Sequence, residues 1–123
     1  MNVWLLIASV ACAATWAIHT FVGELTIVRP FVSATGLDPV PKWTQFYCWH
    51  LVTLTLAAMA LGLAYAAFEP AANDVALLIA ILALAFGAFG LLLPSRVGQH
   101  FATMPQGLLL MPIGLVALVG VLR

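Results

Sequence analysis

The stretch WTQFYCWHLVT, residues 43 to 53, carries a histidine, His50, into an apolar segment that continues to Phe68. An apolar run of about 20 residues or more is what a bilayer-spanning helix requires. An ionisable side chain inside a bilayer is costly unless it has a partner, a water-filled pocket or a ligand. The stretch therefore predicts a membrane helix and marks His50 as a candidate functional residue.

The composition of the whole chain is that of an integral membrane protein. Hydrophobic residues make up 65% of its 123 residues, charged residues make up 7%, and the mean hydropathy is +1.17. Such a chain could not cover itself with a water-compatible surface as a soluble monomer. The formal net charge is zero, so no basic stripe is present and nucleic-acid binding is excluded. We expect a single membrane domain, residues 1–123.

Four apolar segments predict four helices joined by three connections. Pro30 is expected to end the first helix, because proline pushes the preceding residue out of helical geometry. Pro39 and Pro41 are expected to lie in the first loop as helix breakers. The predicted fold is all-α, an antiparallel bundle of four transmembrane helices with both termini on the same side. The predicted helices are about residues 2–28, 43–68, 74–93 and 104–122.

Two helical faces carry most of the polar and aromatic residues. The stripe on the first helix should contact other helices, because small and polar side chains mediate packing where lipid already matches apolar ones. The stripe on the second helix places His50 between aromatic residues, with a small residue, Ala57, that leaves room for a neighbouring helix. The first stripe is Ser9, Cys12, Thr15, Trp16, His19, Gly23 and Thr26, and the second is Trp43, Tyr47, His50, Thr53, Ala57, Leu61 and Tyr65.

The three histidines of the chain are predicted to lie at one membrane face. His19 comes near the end of the first helix and His50 near the start of the second, so both should lie about one to two turns below the interface. His100 belongs to the other loop on the same face. The residues that could support such a site are Gln45, Tyr47, Thr53, Gln99 and Gln106.

Three kinds of chemistry suit this arrangement. His19 and His50 could hold haem iron from two antiparallel helices, with Tyr47 nearby and Arg29 toward the propionates. A transition metal such as zinc, copper or iron could instead be bound by the three imidazoles of His19, His50 and His100, or by two of them with Glu24. A histidine beside an acidic group could also exchange a proton with a quinol headgroup. The suspected cofactor is therefore haem or a transition metal, and no catalytic residue is indicated.

Structural explanations compete with each of these functions. Histidines near an interface are often solvated or bonded to a backbone carbonyl. The chain has no HxxxH, CxxC or CxxCH motif, and no GxSxG, P-loop or HExxH motif. One hypothesis is a histidine-lined site for electron transfer or cofactor handling. The other is a non-catalytic accessory or assembly subunit, supported by small-residue faces on the third and fourth helices that suit other membrane subunits or a homo-oligomer.

The distribution of basic residues predicts the orientation. Arg29, Lys42 and Arg96 lie on the predicted loop face, whereas the terminal face has only Arg123. By the positive-inside rule the loop face, with the histidines, is cytoplasmic. The short connections and the lack of a targeting sequence favour a bacterial inner membrane.

Overall fold

The computed structural model describes residues 1–123 and is built of helices. A short 3₁₀ turn, Pro70–Ala72, precedes the third helix. Three helices, the third counted from Pro70, are long and apolar enough to cross a membrane, and the fourth is shorter. The all-helical prediction is confirmed, and these three helices indicate a membrane protein. The helices are α1 (Val3–Ser33), α2 (Pro39–Phe68), α3 (Asn73–Arg96) and α4 (Gln106–Val121).

Helix α1 does not end before Pro30. Its middle segment, Ile18–Val28, is a π-helix, in which the Arg29 N–H donates to the carbonyl of Glu24. An α-helical turn, Arg29–Ser33, follows and contains Pro30. The wider π turn displaces the carbonyl groups that a proline ring would otherwise meet inside an α-helix. The prediction that Pro30 ends the helix is therefore wrong.

Helix α2 begins four residues earlier than predicted. The Asp38 carboxylate caps it by accepting the N–H of Val40 at 3.0 Å. Prolines are tolerated in a first helical turn, where the missing N–H has no helical acceptor. Pro39 and Pro41 therefore belong to the helix, and the first connection is only residues 34–38. Helix α3 likewise continues through Pro94 to Arg96.

The polar face of α1 packs against α2, as predicted. The Ser9 hydroxyl donates to the carbonyl of Ala60 at 2.8 Å, and the Cys12 thiol lies 3.5 Å from the carbonyl of Leu56. Both side chains are buried. Interhelical hydrogen bonds of this kind hold membrane helices together where the hydrophobic effect gives no preference.

Helices α3 and α4 are in backbone contact along their length. A Cβ on Gly107 would lie 2.5 Å from the carbonyl carbon of Gly90, and one on Gly87 would lie 2.8 Å from the Met111 nitrogen. Such close approach requires residues without a Cβ at the crossing points. The small-residue faces predicted on these helices are thus occupied by each other.

The bundle has a closed half and an open half. The closed half comprises residues 3–15, 56–68, 73–83 and 113–121, which supply most of the core. Asn2 ties it together, since its N–H donates to the carbonyl of Ala67 at 2.7 Å and its side chain to that of Gly120 at 2.8 Å. In the open half, at the end with the 34–38 and 97–105 loops, α2 has no buried residue before Leu56. This half contains the cavities described next.

Candidate functional site

His19 lies half-buried on the π segment of α1 and contacts α2. Its Nε2 is 3.3 Å from the carbonyl oxygen of Trp49, which can only accept a hydrogen bond. The Nε2 atom therefore carries the hydrogen, and Nδ1 keeps its lone pair. The imidazole also stacks on the Trp49 indole, with ring centroids 4.0 Å apart and planes inclined by 16°. The orientation of His19 is thus determined by Trp49.

Gly23 makes room for this indole. A Cβ at Gly23 would lie 2.6 Å from Cζ2 of Trp49, closer than any real contact. Gly23 follows His19 by four residues, so the two share one helical face. The Thr53 hydroxyl donates to the same Trp49 carbonyl at 3.2 Å. The Trp49 indole therefore packs between His19 and Gly23 of α1, and its backbone carbonyl is shared by His19 and Thr53.

A cavity of about 290 Å³ lies beside His19. We call it the His19 cavity. It is bounded by α1, α2, α4 and the loop before α4, and it contains no lysine, arginine, aspartate or glutamate. Its polar side chains are Thr15, His19, Thr26, Thr103 and Gln106, and Trp49 contributes aromatic surface.

A second cavity, of about 550 Å³, lies next to the first and is more apolar. We call it the lateral cavity. Phe86 and Phe89 line it and are also exposed on the outside of the bundle, so it opens sideways between α2 and α3. Four residues line both cavities, namely Val52, Leu56, Gln106 and Leu110. The two cavities therefore form one cleft between the α1–α2 and α3–α4 hairpins.

His50 lies on the other side of α2 from this cleft. Its Nδ1 is 2.9 Å from the Phe46 carbonyl, so Nδ1 carries the hydrogen and Nε2 has a free lone pair. Its ring lies against the Phe46 ring, at a centroid distance of 4.3 Å. The side chain is exposed, as are Tyr47 and Tyr65 of the same stripe. Trp43 and Leu61 of the stripe are exposed as well, whereas Thr53 and Ala57 are half-buried, so the stripe faces outward at its ends but not in its middle.

The other predicted site residues do not join His19. Arg29 and His100 are exposed, and Glu24 is half-buried. None of these residues lines the His19 cavity, nor does Tyr47, which borders a separate shallow cavity near Pro39. No group of three or more histidine, cysteine, aspartate or glutamate side chains is arranged to hold a metal ion. The structure does not bring the four predicted metal ligands together.

The sequence analysis did not single out Trp49, which contacts both His19 and Gly23 in the structure. A signal for these contacts is present in the sequence. A glycine one turn after a histidine on the contact face of α1 leaves space for a large ring from the next helix. Gln106 was considered only as a supporting group for a cofactor, whereas it lines both cavities.

No family model, no curated protein and no solved structure matches this chain. The function is therefore argued from the cleft itself.

Proposed function

We propose that this protein spans the membrane four times and binds a small membrane-soluble molecule in the cleft between its two helical hairpins. The observation that carries the proposal is the His19 cavity, about 290 Å³ in volume, with its few polar groups in an otherwise apolar wall. Small-molecule sites are commonly clefts of about 300–1,000 Å³ between helices, apolar with a few polar groups that orient the ligand. The combined volume of the His19 cavity and the adjoining lateral cavity lies within this range.

The fourth span is supported by the packing of α4. With 16 residues, α4 is about 24 Å long, slightly short of a bilayer core of about 30 Å. Its backbone contact with α3 at Gly90 and Gly107 holds it alongside a helix long enough to cross. Both termini then lie on one side, and the loop face with Arg29, Lys42 and Arg96 is cytoplasmic by the positive-inside rule.

Lipid is the proposed partner around the bundle. The outward side chains of the long helices include Leu54, Leu61, Phe89 and Leu92, each more than 60% exposed. Hydrocarbon matches such side chains, so they need no protein partner. The small-residue faces that favoured an accessory subunit are occupied within the chain, which leaves that hypothesis with less support.

Haem and metal binding have less support than a neutral ligand. The Nε2 of His19 already donates to a carbonyl, and its ring is stacked on Trp49. Only its Nδ1 is free to ligate a metal. His50 likewise donates through Nδ1 to a carbonyl and keeps a free Nε2, as ligating histidines do, but neither histidine belongs to a group of three or more side chains that could hold a metal ion.

The test compares two neighbouring leucines of α4. Leu109 lines the His19 cavity, whereas Leu108 is 53% exposed and lines neither cavity. The protein and the variants Leu109→Trp and Leu108→Trp are purified from native membranes, and native mass spectrometry measures any bound small molecule. We expect the wild type and Leu108→Trp to carry the same adduct and Leu109→Trp to lose it. The absence of any saturable adduct on the wild type, or equal occupancy in all three, would overturn the proposal.

A further inference from the structure

We infer that the ligand of this cleft is a neutral, single-tailed molecule whose ring bears two hydroxyl groups, the chemical class of isoprenoid quinols. The inference rests on the proposed function. It places the ring in the His19 cavity and the tail in the lateral cavity. It assigns binding only and does not assign a redox reaction to this chain.

The charge of the cleft determines the charge of the headgroup. Neither cavity is lined by lysine, arginine, aspartate or glutamate, and His19 is the one titratable side chain in either lining. A phosphate headgroup buried there would lack a cation, and a buried unpaired charge is strongly disfavoured. The basic residues of the loop face, Arg29, Lys42 and Arg96, line neither cavity. The ligand headgroup is therefore neutral.

The hydrogen-bonding groups come from two different helices. His19 of α1 donates through Nε2 to Trp49, so its Nδ1 can accept a hydrogen bond from a ligand hydroxyl. Gln106 of α4 has an amide that can both donate and accept. A quinol has hydroxyls at opposite ring positions, one for each of these groups, whereas an isoprenoid alcohol has a single hydroxyl for both. These two residues favour a quinol over an isoprenoid alcohol.

The shape and lining of the lateral cavity determine the tail. Leu51, Leu93 and Phe86 supply apolar surface, and the cavity joins the His19 cavity at Leu56 and Leu110. Its opening between α2 and α3 lets a long chain leave toward lipid. One such cavity accommodates one chain, which disfavours a two-chain lipid such as a diacylglycerol. Burying the methylenes of the tail favours binding from water, and favours it much less when the chain comes from lipid.

The experiment measures ligand affinity on the full-length protein in detergent by native mass spectrometry. The probes are decylubiquinol, kept reduced under anaerobic conditions, farnesol and dioleoylphosphatidylcholine. We expect decylubiquinol to bind saturably at one site and more tightly than the other two. His19→Phe keeps a ring to stack on Trp49 but removes the Nδ1 that accepts from a quinol hydroxyl, and Gln106→Leu removes the amide. Each is expected to weaken decylubiquinol binding about tenfold, the effect of one lost hydrogen bond.

Matched controls separate the loss of a hydrogen bond to the ligand headgroup from a general effect of the substitution on the protein. His50→Phe and Gln99→Leu make the same chemical changes outside both cavities, and we expect them to bind decylubiquinol like the wild type. His19→Gln, which keeps a polar group, provides a second test if His19→Phe does not fold, as judged by its helical circular dichroism. Its expected affinity lies between those of the wild type and His19→Phe or Gln106→Leu.

Two results would overturn the inference, and they are distinguishable. If farnesol or the phospholipid binds as tightly as decylubiquinol, or if neither His19→Phe nor Gln106→Leu weakens decylubiquinol binding, the quinol assignment fails. The proposed function still holds in that case, provided that Leu109→Trp abolishes binding. If none of the three probes binds saturably, and no adduct is retained from native membranes, both the inference and the proposed function fail.

Discussion

The closed and open halves of the bundle are built from the same four helices but differ in packing. In the closed half, alanine and glycine bring the helices together, and Ala8, Ala76, Ala80 and Ala117 are fully buried. In the open half, α2 has no buried residue before Leu56, and two cavities separate the hairpins. Small side chains permit close packing in a membrane, and larger ones keep helix axes farther apart. In the open half α3 and α4 remain in contact at Gly90 and Gly107, but the two hairpins separate. The comparison indicates that the closed half joins the two hairpins and the open half contains the candidate site.

The site is held by two features that an all-α-helical bundle would lack. The π segment of α1 carries His19, Gly23 and Thr26 to the cleft, and π-helical turns are frequent at functional sites. The indole of Trp49 then fills the space above Gly23 and stacks on His19. The open half is thus locally ordered although it is loosely packed.

The largest expected effect comes from separating α3 and α4. Gly107→Ala would place a Cβ 2.5 Å from backbone atoms of Gly90 and Leu91, which cannot move independently of their helix. We expect it to lower the free energy of unfolding by about 3 kcal/mol, measured by denaturation in mixed detergent micelles. The control is Gly62→Ala, whose Cβ would meet the flexible end of Ile79 at 2.5 Å. A similar loss in both variants would contradict a rigid α3–α4 contact.

Adding volume should have different effects in the two halves. Ala80 is fully buried in the closed half, so Ala80→Leu should reduce stability by about 2 kcal/mol through overpacking. Val52 lines both cavities in the open half, and Val52→Phe should change stability by no more than about 0.5 kcal/mol. Thermal unfolding of the two variants beside the wild type checks this. If Val52→Phe proves as harmful as Ala80→Leu, the open half is packed as tightly as the closed half.

The smallest expected effect concerns hydroxyl groups. Ser9→Ala removes a buried interhelical bond to Ala60 in the closed half, and we expect a loss of about 1 kcal/mol. Thr55→Val removes a hydroxyl that bonds only within α2, to the Leu51 carbonyl at 2.8 Å. That change should be nearly neutral, because the carbonyl keeps its helical partner. Chemical denaturation of both variants gives the comparison, and equal losses would argue against Ser9 as an interhelical contact.

Several features of the fold could be predicted from the sequence because they depend on local pattern. The length and composition of the apolar segments predicted the helices. The polar stripe with Ser9 and Cys12 predicted the face of α1 that contacts another helix. The helix ends at Pro30 and Pro39 were predicted wrongly, because a proline can end a helix, begin one or follow a π turn. Which of these occurs depends on the backbone around it rather than on the proline itself.

The site was predictable only in part. His19 was a candidate from the start, and the structure places it in the cleft. His50 was grouped with His19 because both residues are expected at a similar depth below one membrane face. The depth of a residue in the membrane does not determine the direction in which its side chain points. The ring of His19 faces the cleft, and that of His50 faces outward beside Phe46.

The sequence by itself determined a membrane protein made of long apolar helices, and it identified the polar face of α1. Only the tertiary structure decided the rotation of α2 about its axis, and this rotation leaves His50 outside the cleft. The reason is that the membrane segment of α2 is apolar around its whole circumference. Hydrophobicity therefore does not determine which side of α2 faces the other helices and which side faces lipid. Its rotation is set by long-range contacts, chiefly Ser9 with Ala60 and Gly23 with Trp49, which join residues far apart in the chain.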